Sequence, residues 1–320
     1  MASPSRLKTL FELTTFKSFN YNKQVIDVKS INSFNTFNIS SRGDNDSSNK
    51  TREHIIGAII NNKVPENYFV LEKWLAIKNN VIEYVNSLTS QPFVKVECLH
   101  KAGRKNNYDF LIKIYYEEKK YEEFKVEFKF NAASLNETPQ FVSPMKPSQY
   151  LNNSYEEFYY ENYLTKLATM GNLDLPSKED YLKQIHSDKP KCLKKYQEFY
   201  YNGCSGSSKF TGKQEHINFY NYAKELSNTS ITEFINNSEL NITMLSNYLQ
   251  STQLDKIYML YTNNSLIKQT INMDDYTLIS VIKQPDKYRY ECTSKSGKKI
   301  KVLLRWKNGN GIAFPAFQLS

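Results

Sequence analysis

The sequence predicts an α/β protein built on a mixed sheet, with a helical insertion and a β-rich C-terminal segment. Three observations carry this. Helical apolar spacing over residues 67–88 gives way to period-two alternation over 93–130. Residues 146–235 return to helical spacing and are dense in Tyr, Phe, Glu and Lys. Residues 288–319 alternate again, and are punctuated by the turn signals Ser294-Lys295-Ser296-Gly297 and Asn308-Gly309-Asn310-Gly311.

Taken in order, residues 1–50 form a polar N-terminal arm whose stretch Ser40 to Lys50, rich in Ser, Asn and Asp, reads as a linker or surface loop. Thr51 to Asn61 reads as a short helix. Asn67 to Leu88 reads as a longer one: Trp74, Ile77, Val81 and Val85 share an apolar stripe, while Glu72, Asn79, Glu83 and Asn86 lie on the polar side. Three strands follow, Phe93–His100, Tyr108–Tyr116 and Glu123–Phe130, the first two joined by the basic turn Lys101 to Asn107. Ile242 to Leu249 suggests a helix, and Lys256 to Tyr261 a short apolar strand. The expected core is therefore helix-strand-strand-strand-helix-strand. It runs over 51–145, is interrupted by a mostly helical insertion at 146–235, and resumes over 236–320 with the β-rich tail.

A chain of 320 residues with a formal charge of +9 can bury a sizeable core and is suited to a polyanionic partner. Its four cysteines, Cys98, Cys192, Cys204 and Cys292, form no CxxC pair, which argues against a disulfide scaffold or a zinc site and for a reducing compartment. No apolar run approaches a membrane span, and the first residues carry no apolar signal core, so a cytoplasmic location is expected. Heavy use of Asn, Lys, Ile and Tyr points to an AT-rich genome, bacterial or viral. Neither Ser205 nor Ser207 sits in a G-x-S-x-G frame, and Gly206 to Gln214 lacks the phosphate-loop spacing.

The chemistry concentrates on the second and third strands. Two Glu-x-Lys triplets compete, Glu123-Phe124-Lys125 and Glu127-Phe128-Lys129. A turn centred near Lys119 puts Asp109 across from the Glu127–Lys129 end and Glu123 across from Tyr115, so Glu127 and Lys129 are chosen. Alternation sends Phe124, Val126, Phe128 and Phe130 to the core and Lys125, Glu127 and Lys129 to the other face. Two carboxylates there, with the backbone carbonyl of Phe128, suit a hard divalent cation such as Mg²⁺, which would activate water and polarise a phosphate. Lys129 would orient that water or neutralise charge developing on the phosphate.

A helix, three strands, Asp at the start of the second and Glu-x-Lys in the third resemble the PD-(D/E)xK nuclease superfamily, most of all its type II restriction endonucleases. Asp109, Glu127 and Lys129 match the motif; Asn107-Tyr108 stands where Pro is usual. The resemblance implies a restriction-endonuclease-like fold and Mg²⁺-dependent hydrolysis of double-stranded DNA at a specific sequence, leaving 5′-phosphate ends. It implies a further helix glutamate at the metal, for which Glu72 is preferred and Glu83 and Glu53 are the other options. It also implies a role for the insertion in DNA grasp or specificity, a homodimer for symmetric cutting, and a DNA methyltransferase in the same system without direct binding. DNA contacts are expected from Lys101, Arg104 and Lys105 beside the site. A second basic set, Lys299, Lys301, Arg305 and Lys307, lies on one strand face, where Arg305 would read guanine. Tyr159, Tyr160, Tyr200 and Tyr201 are expected in helix interfaces more than against bases. Two alternatives use the same residues: a structure-specific repair or recombination nuclease of this fold, and a non-catalytic DNA-binding protein.

Overall fold

Alternation in the segment 93–130 and the positive φ that Lys119 adopts at the turn (59°) close a three-stranded antiparallel meander, β3 (Lys95–His100), β4 (Phe110–Tyr115) and β5 (Tyr121–Phe130). The computed structural model describes residues 16–27, 36–37, 42–101, 106–135, 145–187, 190–307 and 309–319, the side chains of 42–47 aside. The chain divides into two compact units, Met1–Thr138 with Thr252–Ile271, and Pro139–Ser251 with Asn272–Ser320.

The first unit is a mixed five-stranded sheet in the order β3-β4-β5-β6-β7, where β6 is Ile257–Thr262 and β7 is Ser265–Gln269. All neighbours are antiparallel except β5 and β6, which run parallel. Two helices accompany it, α1 (Arg42–Ile60), which packs on β3, and α2 (Glu72–Asn86), which packs on β7. Ile55, Ile56, Trp74, Ile77, Val81, Phe110, Ile112, Ile114, Val126, Phe128 and Met259 fill the core between these layers. The alternating burial of β4 shows the period-two reading at work, every second residue from Phe110 being buried. A two-stranded ribbon, β1 (Phe19–Tyr21) and β2 (Gln24–Ile26), turns at Asn22 and Lys23, both at positive φ.

The second unit holds an antiparallel sheet in the order β11-β10-β9-β8, formed by β8 (Leu278–Gln284), β9 (Arg289–Ser294), β10 (Lys299–Trp306) and β11 (Pro315–Leu319). Its helices are α3 (Tyr155–Tyr159), α4 (Thr165–Gly171), α5 (Lys178–Gln184), α6 (Lys194–Gly203), α7 (Gln214–Asn237) and α8 (Ile242–Gln253), whose last two residues belong to the first unit. Tyr155, Tyr159, Tyr181, Tyr196 and Phe219 are wholly or almost wholly buried among them, and Tyr200 is buried too, so aromatic density here builds a core. Helices α6 and α7 approach so closely at Gly203 that a Cβ there would stand 1.9 Å from the His216 carbonyl oxygen.

Several expectations are corrected. Residues 42–50, expected as loop, are the N-terminal half of α1. Their Ser, Asn and Asp content argues against helix on propensity, but the buried Arg52, Ile55, Ile56 and Ile59 anchor the helix from its other end. The helix expected over 67–88 is broken at Leu71, whose extended backbone separates a 3-10 turn (Glu66–Val70) from α2 and leaves Val70 76% exposed. Strands β7 and β8 were not expected. The segments 146–235 and 236–320 are not separate pieces: the helical insertion and the β-rich tail make up most of one unit, and residues 252–271 return to the first. Among the described residues no helix is long and apolar enough to cross a membrane.

Candidate active site

The β4–β5 ladder ends at Phe110 opposite Val126, and Asp109, just ahead of β4, lies against the Val126–Phe128 stretch of β5, close enough to Glu127 to feel its charge. The turn is centred one residue earlier than the sequence suggested, near Glu118, which shifts the partner of each β4 residue by two along β5. Glu123 pairs with Lys113 instead of Tyr115 and forms a 2.6 Å ion pair with it on the outer surface. The choice of Glu127 over Glu123 survives the shift, because Glu123 is still four residues away along the strand. The main chain fixes Asp109 on both sides. Its N–H donates to the Val126 carbonyl at 3.0 Å, and its carbonyl accepts from the Lys101 N–H at 2.7 Å. Its Oδ2 accepts from the Phe128 N–H at 2.9 Å.

Glu127 is 12% exposed and takes an ammonium on each carboxylate oxygen: Lys129 on Oε1 at 2.5 Å, and Lys256, just ahead of β6, on Oε2. Burial pushes the Glu127 carboxyl up, but the two ammoniums outweigh it and hold it below the usual range. Among the described residues Asp109 has no ammonium at ion-pair distance. Burial, then the Glu127 charge, push its carboxyl up to about 6, against the Phe128 N–H and the two lysines. Burial likewise draws the Lys256 ammonium down, opposed by Glu127.

A third carboxyl comes from α1. Glu53 is 12% exposed and lies 2.8 Å from Nε2 of His100, the last residue of β3. Burial, then the Asp109 charge, push Glu53 up to about 8. Burial and the neighbouring His54 ring, 4.6 Å away, hold His100 below the usual imidazole range. Glu53, Asp109 and Glu127 thus form a row in which each carboxyl feels the charge of the next.

Glu53 takes the place expected of Glu72. Glu72 begins α2 and lines a separate depression with Phe37, Lys73, Ala76, Tyr261 and Asn264. Tyr261 is level with Phe130, three residues beyond Glu127 on β5, or about 10 Å of strand. The helix nearest in sequence to the strands is therefore not the one nearest Asp109: α2 is tied to the β6–β7 end by Asn80 to the Asn264 carbonyl (2.7 Å), whereas Asn61, just past α1, bonds the main chain of Cys98 in β3. Glu83 shares α2 and is displaced with it. The sequence signal for Glu53 was a carboxylate flanking the Ile55–Ile56 anchor of α1. For Lys256 it was an ionisable residue at the foot of a buried strand.

Lys101 is half-buried beside Asp109, whereas Arg104 and Lys105 lie outside the described residues. Lys299, Lys301, Leu303 and Arg305 share the outer face of the second unit's sheet, as alternation required, opposite the buried Ile300, Val302, Leu304 and Trp306. Lys299 bonds Thr293 at 2.8 Å, Lys301 pairs in register with Glu291, and Arg305 donates to Gln318 at 2.6 Å. Lys307 follows β10, its N–H donating to the Phe314 carbonyl at 2.8 Å.

Among the described residues, no three His, Cys, Asp or Glu side chains stand close enough together to enclose a metal ion. The donors offered by Asp109 and Glu127 are two carboxylates on adjacent strands, with the Phe128 main chain beside them. That is a sparse, all-oxygen set. It suits Mg²⁺, which keeps several waters and takes one or two carboxylates, and it does not suit the closed nitrogen and sulfur cages of structural zinc. Compared with family models, curated proteins and solved structures, the chain matches none.

Proposed function

We propose that this protein is a Mg²⁺-dependent endonuclease that hydrolyses phosphodiester bonds of double-stranded DNA at a specific sequence, on a restriction-endonuclease-like core resembling the PD-(D/E)xK enzymes. The observation that carries the reading is that Asp109, held by the Phe128 N–H, lies within reach of the Glu127 charge, with Lys129 paired to the Glu127 carboxylate. The order α2, β3, β4, β5, a run of helices, then α8 and β6 parallel to β5, supports it. So does the +9 charge of the chain.

Asp109, Glu127 and the Phe128 carbonyl would hold the ion, which when bound supplies Lewis-acid polarisation of the scissile phosphate and an acidified water. The chain's own residues do the rest. Lys129, paired with Glu127, would hold the attacking water or meet the charge growing on the phosphate. The Phe128 N–H keeps the Asp109 carboxylate aimed. His100 orients Glu53, which, when ionised, accepts a proton or adds a ligand oxygen beside Asp109. The exposed Lys299 and Lys301 contribute to phosphate neutralisation along DNA.

The test is incubation of the purified protein with a panel of plasmids in Mg²⁺ and in EDTA. Discrete bands that require Mg²⁺ and vanish in Asp109→Ala and Lys129→Ala support the proposal. Cutting confined to ends or junctions indicates a structure-specific nuclease. Salt-sensitive retention of DNA without cutting indicates a binding protein and overturns the enzymatic assignment.

A further inference from the structure

Glu127 has two ammonium partners, and the mechanism above employs only one. Lys256 is the other, and its side chain is 3% exposed. Burying an ammonium costs several kcal/mol unless it is well paired, and an apolar residue at the foot of β6 would avoid that cost.

What Lys256 holds explains its place. Besides Glu127 it donates to the Asn107 carbonyl at 2.6 Å, two residues ahead of Asp109. The Asn107 side chain reaches back to the same stretch, donating to the Thr252 carbonyl at 2.6 Å. Asp255 completes the grip from the β5 side through a 2.9 Å ion pair with Lys125, two residues before Glu127. Residues 252–256 therefore hold both the segment that delivers Asp109 and the strand that delivers Glu127. Lys129 is different in kind: it rides on the same strand as Glu127 and is 17% exposed, so it is the partner able to turn to a substrate.

We infer that Lys256 is a positioning residue that locks the lead-in to Asp109 against Glu127, and that its fixed charge sets how strongly the carboxylate pair takes up a divalent cation. The catalytic consequence rests on the nuclease reading; the structural and cation-binding consequences do not need DNA cleavage.

Lys256→Met keeps the length of the side chain and removes its charge. In the metal-free full-length protein, amide exchange over residues 106–110 should accelerate about tenfold or more. Mn²⁺ titrated calorimetrically without DNA should bind about fivefold or more tightly, because a repelling charge beside Glu127 has gone. With Mg²⁺ and DNA, kcat should fall about tenfold or more while KM stays within about twofold. A residue that merely supported the fold would weaken Mn²⁺ binding when removed, not strengthen it. Lys256→Gln, also uncharged, repeats the Mn²⁺ measurement if the Met variant folds poorly. Unchanged or weaker Mn²⁺ binding in a folded variant, or wild-type exchange over 106–110, overturns the role given to Lys256. If the exchange and affinity changes occur in a protein that never cuts DNA, Lys256 acts as inferred and the nuclease reading alone is refuted.

Discussion

Replacing Glu53 by Gln removes a carboxyl that the fold can ionise only at considerable cost. The Glu53 carboxyl is raised from 4.5 to about 8, burial being the main cause and Asp109 the next. At about 1.4 kcal/mol per tenfold change in proton affinity, ionising it in the folded state costs about 5 kcal/mol. Because the folded value is raised, the stabilising proton is fully present in both states below about pH 4.5, and stability is lost as pH rises towards about 8. About 3 to 4 kcal/mol of the loss builds between pH 5 and pH 8. Asp109, raised from 3.8 to about 6, adds a loss in the same direction between about pH 4 and pH 6. His100, held below its usual range, works oppositely, stabilising the fold as pH rises through the imidazole range. Both remain in the variant, so the difference between wild type and Glu53→Gln isolates Glu53 to first order. The assay is urea unfolding from pH 5 to pH 9 in EDTA, in a Trp306→Phe background so that the buried Trp74 reports the first unit alone. The variant should gain on wild type by about 3 kcal/mol across that range, and added Mg²⁺ should narrow the gap by neutralising the carboxylate row. Parallel pH profiles for the two proteins would refute the electrostatic account of the row.

Asp109→Ala and Lys129→Ala should each lower Mg²⁺-dependent DNA cleavage by about a thousandfold, read in single-turnover assays, whereas Glu123→Ala, whose partner is the surface Lys113, should stay within about twofold. Gly203→Ala drives a Cβ against the His216 carbonyl and should destabilise the second unit by about 3 kcal/mol or more in thermal melts, since neither contacting backbone can give way cheaply. Lys299→Ala and Lys301→Ala should weaken DNA binding alike on all sequences, each reducing the salt dependence by about one counterion.

The part of the site that was legible in the sequence is the part encoded by short-range rules. Alternation assigned Val126 and Phe128 to the core and Glu127 and Lys129 to the opposite face. The polar run Glu117 to Lys120 marked the turn closely enough to separate Glu127 from Glu123, although the partner of each β4 residue proved to lie two residues earlier on β5. What escaped was set by tertiary packing. A carboxylate flanking an apolar anchor describes Glu53 and Glu72 alike; the choice between them is made by α1 lying on β3 while α2 lies on β7. Lys256 gained its place only because β6 returns from the second unit to run parallel with β5, more than a hundred residues later in the chain. The hairpin to β7 did carry a signal in Asn263-Asn264, both at positive φ as a tight two-residue turn demands. The sharing of residues 139–251 and 272–320 in one unit had none, since apolar spacing reports that a face is buried but not against what.

The most direct measurement is to digest mixed genomic DNA with the wild-type protein and with Asp109→Ala, in Mg²⁺ and in EDTA, and to sequence the ends. The account predicts 5′-phosphorylated ends that share one recurring sequence, formed only by the wild-type protein and only with Mg²⁺. DNA left intact by the wild-type protein in Mg²⁺, or cut equally well by Asp109→Ala, contradicts it.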